Sequence, residues 1–214
     1  MRGTVVRVTV ATLAFAFVHS LLASDAVKRE VERRLGSRMR DGAYRFFYMQ
    51  VTFASLAALA LSMRGLPDRV VYRVPRPWSW LMRLGQLFGV VLIVDANRRL
   101  GLLQFSGVQG LVGLLSGKPV EREPAAQGPL LGGDLPYRTG GAYRVSRHPQ
   151  NLGPTLVVCL QPTMTVRLLT FALVGSAYSF LGSLLEERRA RAADPEAYDR
   201  YRSRVPFFFP GPVR

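Results

Sequence analysis

Arg144, Arg147 and His148 stand in the stretch "GAYRVSRHPQNLG" just ahead of an apolar run, and Glu186 and Glu187 close the next one. Two guanidiniums, an imidazole and two carboxylates can hold an anion, accept hydrogen bonds from a cation or a hydroxyl, and fix a polar ligand between them. A carboxylate at an apolar boundary is costly unless paired, and Arg144, Arg147 and His148 are the obvious partners. Pro149 disfavours helix at His148, so the residue is held extended and its ring is aimed. If residues 187–204 are helical, Glu187, Arg191, Tyr198 and Tyr201 fall near one stripe, with Asp194 and Pro195 breaking or kinking it. The same residue types also do plainer work. Arginines anchor spans, Glu–Arg pairs neutralise helix ends, and rings such as Phe207 to Phe209 suit an interface. Residue types alone leave both readings open.

The elements that must position these groups are apolar and long. Hydrophobic residues make up 49% of the 214-residue chain, in stretches separated by arginine-rich loops, which describes a polytopic membrane protein. Five segments approach the ~20 residues that cross a bilayer: Val5 to Ala23, about Phe46 to Met63, about Ser79 to Ala96, Leu152 to about Thr163, and Val166 to Leu185. The first is read as a retained helix, since no small-x-small cleavage site precedes "SDAVKRE". The fourth is short and joins the fifth through "QPTMT", so the pair reads as a tight hairpin. A sixth stretch, "LGLLQFSGVQGLVGLLSG", repeats glycine every three or four residues and either spans or dips in and returns. The expected fold is all-α: a polytopic transmembrane helical bundle of five spans plus this glycine-rich segment, with a C-terminal cytosolic helix and tail. It forms one integral membrane domain over residues 1–214, with N-terminal helices over 1–116, a loop over 117–140 and the polar region over 141–214. Within the loop, "EREPAAQGPLL" and "GGDLPYRTGG" read as a linker or as a lid over the polar residues.

Charge and composition narrow the partners. The formal net charge of +15 and pI near 11.2 sit on cations that flank apolar spans instead of lining one polar face, so membrane lipids are the expected partner and nucleic acid is not. Asp25 to Arg45 reads as an amphipathic connector along headgroups. The single cysteine, Cys159, lies in an apolar segment and reads as packing. His19 is an ionisable residue inside the first span and hence a functional candidate, while Asp95 and Asn97, next to Arg98 and Arg99, read as capping and neutralising. Two distant histidines without a cysteine pair give little support to a metal or haem site, and no glycine-rich nucleotide fingerprint follows a strand. Oligomeric state is left open.

The order "GAYR-x-x-RHP-x-x-x-G", a short apolar hairpin, "EE", then "Y-x-x-Y-x-x-x-VP" resembles the isoprenylcysteine carboxyl methyltransferase superfamily of integral membrane enzymes. It is carried by Gly141 to Gly153, Glu186, Glu187, Tyr198, Tyr201, Val205 and Pro206. "HSLLAS", "YRFFY" and "LQFSGVQ" in the N-terminal half further resemble the NnrU-type proteins and related methanethiol S-methyltransferases, so the resemblance covers most of the chain.

This resemblance implies an S-adenosylmethionine pocket at the cytoplasmic face, built by Arg147, His148, Gly153, Glu186, Glu187, Tyr198 and Tyr201, with Arg144, Arg147 and Glu187 as catalytic candidates. It implies methyl transfer to a thiol or another small or lipophilic acceptor, in the cytoplasmic membrane of a bacterium, with the C-terminus inside. The alternative that it also implies is a non-catalytic NnrU-like accessory protein linked to nitrogen-oxide metabolism. Two positions depart from the superfamily pattern. Asn151 stands where a tyrosine is common after "RHP", removing a stacking ring, and Asp194-Pro195 replaces an "FG", changing the bend of the tail.

Overall fold

A computed structural model describes residues 1–122 and 140–209. The segment read as linker or lid lies, from 123 to 139, outside the described residues. The elements run α1 (Arg2–Ala23), α2 (Asp25–Leu35), α3 (Ser37–Gly42), α4 (Tyr44–Ser62), β1 (Val70–Arg73), α5 (Trp78–Leu100), α6 (Leu102–Phe105), α7 (Val108–Leu115), α8 (Ala142–Val145), α9 (Pro149–Cys159), β2 (Thr163–Thr165), α10 (Val166–Ala193) and α11 (Pro195–Arg202). Three of them, α1, α5 and α10, are long and apolar enough to cross a membrane. Their large apolar side chains point outward, with Phe17 67%, Leu84 59% and Leu173 63% exposed, a surface that lipid covers and water does not. The chain divides into two compact units.

One unit comprises residues 1–68 and 101–122. Thr4, Val8, Thr12 and Ala16 recur every four residues and form the buried stripe of α1, against which α4 packs. Small side chains suit this role in a bilayer, where close backbone approach replaces the hydrophobic effect as the driving force. Polar atoms on the stripe are satisfied within the unit, since the Thr12 hydroxyl donates to the Val8 carbonyl one turn back at 2.7 Å and the Thr4 hydroxyl to the Pro67 carbonyl at 2.7 Å. His19 Nε2 lies 2.7 Å from the Tyr48 hydroxyl. The basic connector forms α2, capped by the Ser24 hydroxyl, with no buried residue and with Glu30 paired to Arg33 and Arg34.

The glycine-rich stretch breaks into α6 and α7 at Gly107, whose left-handed backbone (φ 78°) and contact with the Phe46 backbone leave no room for a side chain. Gly110 lies on Gly42 so closely that a Cβ would meet the Gly42 carbonyl at 2.9 Å. The glycine face is therefore used within the chain. An eight-residue α7 rises about 12 Å, well short of a hydrocarbon core of about 30 Å.

The other unit holds α5, α8 to α11 and the two strands. Beyond the expected helices it contains a short antiparallel ribbon, in which Val70 pairs with Thr165, Tyr72 with Met164 and Arg73 with Thr163. β-branched residues favour the extended chain there, and the Thr165 hydroxyl then caps α10 by accepting from the Leu168 N–H at 3.2 Å. Helices α5 and α9 cross at two glycines. A Cβ on Gly89 would sit 2.7 Å from the Gly153 carbonyl, and one on Gly153 would sit 2.6 Å from the Gly89 carbonyl. Next to this crossing Leu92, Ala96, Ala142, Tyr143 and Leu152 form the core. Helix α9 has 11 residues and rises about 16 Å, half the thickness of the bilayer interior. Helix α10 has 28 residues and runs past its apolar part through Glu186 and Glu187 to Ala193. Asp194 and Pro195 break it there. The Asp194 carboxylate accepts from the Ala197 N–H at 2.9 Å, and Pro195 takes the first position of α11, where its missing N–H costs nothing.

Candidate functional site

The "GAYRVSRHP" segment is clamped at both ends by the last turns of α5. Asp95 Oδ2 accepts from the Ala142 N–H at 2.7 Å and from Arg99 Nε at 2.7 Å, capping α8. Gly141 reaches this cap with φ 56°, and a Cβ there would strike Asp95 and Arg99. Farther on, the Gln150 amide donates to Asn97 Oδ1 at 2.7 Å. Between the clamps Ser146 is extended; its hydroxyl donates to the Phe207 carbonyl at 2.7 Å and accepts from the His148 N–H at 3.1 Å. The Arg147 N–H donates to the Pro206 carbonyl at 2.9 Å. His148 sits outside the helical region (φ −125°, ψ 57°) and precedes Pro149 at the start of α9, so its ring projects from a fixed backbone.

Chain segments that lie far apart in sequence meet here. Arg147 Nε donates to Glu187 Oε1 at 2.7 Å, and Nη1 donates to the Val205 carbonyl at 2.7 Å and more weakly to that of Arg202. His148 Nδ1 lies 3.3 Å from Glu186 Oε2 and Nε2 lies 3.2 Å from Glu187 Oε1. With a carboxylate at each ring nitrogen, the charged, doubly protonated ring fits best. Burial pushes the His148 pKa down, but the hydrogen bonds its ring donates to Glu186 and Glu187, with the charges of those carboxylates, outweigh it, and the net shift is upward. The Tyr201 hydroxyl donates to the Tyr143 carbonyl at 2.8 Å, fastening α11 to the motif. Phe207 packs on His148 with centroids 4.8 Å apart and lies under the Arg147 guanidinium at 5.7 Å; Phe180 and Phe208 extend this aromatic patch.

The structure thus joins Arg147, His148, Glu186, Glu187, Tyr198 and Tyr201. Two other expected residues stand apart. Arg144 is exposed, and its side chain makes no hydrogen bond or ion pair to another described residue. Gly153 faces Gly89 and Ile93 at the α5–α9 crossing, a packing position. Asn151 donates to the Ser183 hydroxyl at 2.8 Å, which donates in turn to the Ser179 carbonyl, so this departure from the superfamily pattern ties α9 to α10.

Within the cluster some groups are committed to protein partners and others are open. Arg147, His148, Glu187 and Tyr201 hold one another or the backbone. Open are Glu186 Oε1, on a side chain 28% exposed, and the buried hydroxyl of Tyr143, which has no hydrogen-bond partner among the described residues. Burial and a hydrogen bond to Glu187 raise the Tyr198 pKa, so its phenol stays protonated and faces that carboxylate. Sequence reasoning missed Tyr143, Ser146 and the docking of the 205–207 carbonyls. The signal for the last was the "VP" after the tail tyrosines, where a proline that lacks an N–H leaves its carbonyl as its only backbone bonding group.

The NnrU protein family model matches residues 8–200. Among relatives, the chain is 27% identical to Methanethiol S-methyltransferase 2 of Bradyrhizobium diazoefficiens over 92% of its own length and 69% of that protein. It is 29% identical to Methanethiol S-methyltransferase 1 of the same organism over 92% of its length and 63% of that protein. A Methanethiol S-methyltransferase of Pseudomonas deceptionensis is 32% identical over 63% of the chain and 50% of that protein. The chain therefore spans between half and about two thirds of the length of these relatives, and no solved structure matches it. Because the family match runs from within α1 into α11 and takes in Arg147, His148, Glu186, Glu187 and Tyr198, the chain belongs to the NnrU family.

Proposed function

We propose that this protein is an integral membrane S-adenosylmethionine-dependent methyltransferase that S-methylates a thiol or another small or lipophilic acceptor. One observation carries the reading: segments 143–148 and 186–201 close on each other through the Arg147–Glu187 pair and leave the buried Tyr143 hydroxyl without a hydrogen-bond partner among the described residues. Native proteins leave few buried polar atoms unpaired, and one in the same cluster as a carboxylate with a free oxygen suits a polar ligand. The residues fit the proposed donor. Glu186 accepts hydrogen bonds from an ammonium or from sugar hydroxyls, the Tyr143 phenol donates, exposed Arg144 pairs with a carboxylate, and the Phe180, Phe207 and Phe208 faces suit a sulfonium. When bound, the donor supplies a methyl group on a positively charged sulfur, open to in-line displacement.

The protein's own part is positional. Arg147, His148, Glu187 and Tyr201 hold the frame, and His148, with both nitrogens engaged, orients the two carboxylates and does not take up a proton. Arg144 and Arg147 lower the cost of an anionic sulfur nearby. Holding two reactants in line is worth up to about 7–11 kcal/mol in well-oriented systems. In this reading the site opens to the cytoplasm of a bacterial cell, α1, α4, α5, α9 and α10 form the five membrane segments, and the acceptor arrives from the lipid. A non-catalytic accessory role in nitrogen-oxide metabolism is the second reading. The mutual saturation of Arg147, His148 and Glu187 favours it, because the frame closes without a ligand. Calorimetric titration of the detergent-purified protein with S-adenosylmethionine separates the two, followed by radiolabelled methyl transfer to thiols, prenylcysteines and phospholipids. Saturable binding and a labelled product are expected; a folded protein that takes up no donor leaves the accessory role.

A further inference from the structure

Protein contacts account for Arg147, His148, Glu187 and Tyr201, but not for the hydroxyl of Tyr143. The residue is 2% exposed, its ring belongs to the core with Leu92, Ala96 and Leu152, and its carbonyl accepts from Tyr201. Its own hydroxyl has no partner among the described residues. A buried hydroxyl left unpaired costs about 1–3 kcal/mol, and a phenylalanine would fill the same space without that cost. Burial, and after it the charge of Glu186, holds the phenol protonated. Phe208 packs against the core that holds the Tyr143 ring and lies 6.3 Å from the His148 ring, whose Nδ1 is 3.3 Å from Glu186 Oε2, so the open donor and the open acceptor Glu186 Oε1 belong to one neighbourhood.

We infer that Tyr143 is a ligand contact of this site, its phenol donating to a hydroxyl oxygen of the methyl donor's sugar while Glu186 accepts that hydroxyl's proton. The inference rests on the proposed methyltransferase reading and adds to it a residue and the part of the ligand that the residue recognises. A hydroxyl is the group that satisfies both sides, because it accepts from the phenol and donates to the carboxylate at once.

Tyr143→Phe tests it in the full-length, detergent-purified protein, titrated with S-adenosylhomocysteine and with its 2′-deoxy and 3′-deoxy analogues. The variant is expected to melt at or above the parent's temperature, because an unpaired group has been removed, and to bind S-adenosylhomocysteine about three- to tenfold more weakly, the range of one neutral hydrogen bond. One of the deoxy analogues is expected to lose affinity for the parent and to lose clearly less in Tyr143→Phe, where only the hydroxyl's bond to Glu186 is left to remove. Equal affinity of the variant and the parent overturns the inference while leaving donor binding in place. Additive losses overturn it as well. A lower melting temperature does the same, since it shows that the hydroxyl has a structural partner. A parent that binds neither S-adenosylmethionine nor S-adenosylhomocysteine removes the proposed function, and the inference with it.

Discussion

Replacing Glu187 by glutamine removes the charge that the cluster is built around and keeps the side chain's size. In the parent, Glu187 Oε1 receives Arg147 Nε at 2.7 Å and faces His148 Nε2 at 3.2 Å, and the three side chains are 14%, 9% and 8% exposed. Breaking a buried ion pair by deleting one partner costs about 3–5 kcal/mol, because the remaining charge stays out of water. Here part of that cost is offset. Arg147 keeps the Val205 carbonyl and His148 keeps Glu186, whose side chain is in partial contact with solvent. A loss of about 2–3 kcal/mol follows from those retained partners. For a chain of this size each kcal/mol moves the melting temperature by about 2–4 °C, so Glu187→Gln should melt about 4–12 °C below the parent in detergent. Arg147→Met removes the other half of the same pair. The double variant should therefore be destabilised by clearly less than the sum of the singles, with a coupling of at least about 1 kcal/mol. The reasoning is refuted if Glu187→Gln melts within about 1 °C of the parent, or if the two single effects add.

Gly153→Ala should lower the melting temperature by the ~1–3 kcal/mol equivalent of an overpacked core, since its Cβ would lie 2.6 Å from the Gly89 carbonyl, and should leave donor affinity unchanged; weakened binding at full stability would return Gly153 to the ligand site. His148 has a folded pKa above its unfolded value of about 6.5, so its contribution to stability is fully present below about pH 6.5 and is lost as pH rises through the folded value. A thermal profile measured from pH 5 to 9 should thus show a decline on the alkaline side that His148→Gln flattens, and an unchanged profile in that variant contradicts the assignment. Asp95→Ala removes both the α8 cap and the Arg99 partner and should cost about 1–2 kcal/mol, while Asp95→Asn, which keeps an acceptor for the Ala142 N–H, should cost less; equal losses for the two would show that the cap contributes nothing.

The long elements were legible because hydropathy and capping are local properties. The apolar runs from Val5, Phe46, Ser79 and Val166 lie within α1, α4, α5 and α10, and the break at Asp194 and Pro195 falls where a side-chain acceptor precedes a residue without an N–H. A carboxylate pair at the end of an apolar helix needs cations, and "RVSRH" was the nearby supply, so the meeting of these segments could be read from charge alone. Hydropathy could not foresee the break at Gly107, because it depends on the Phe46 backbone lying against that glycine, nor the β ribbon, because each strand is too short to stand out without its partner.

What the sequence by itself determined, then, is where the helices lie, where they stop, and which charges must find partners. Only tertiary structure decided which partner each group found. Arg147 turns inward to Glu187 and Arg144 outward, Gly153 goes to a helix crossing, and Tyr143 is buried with its hydroxyl unpaired among the described residues. The physical reason is that a side chain's partner is set by the relative height and rotation of neighbouring elements. Those are fixed here by two glycines that touch across α5 and α9 and by a tail whose carbonyls dock on Ser146 and Arg147, contacts between residues far apart along the chain that no local periodicity encodes.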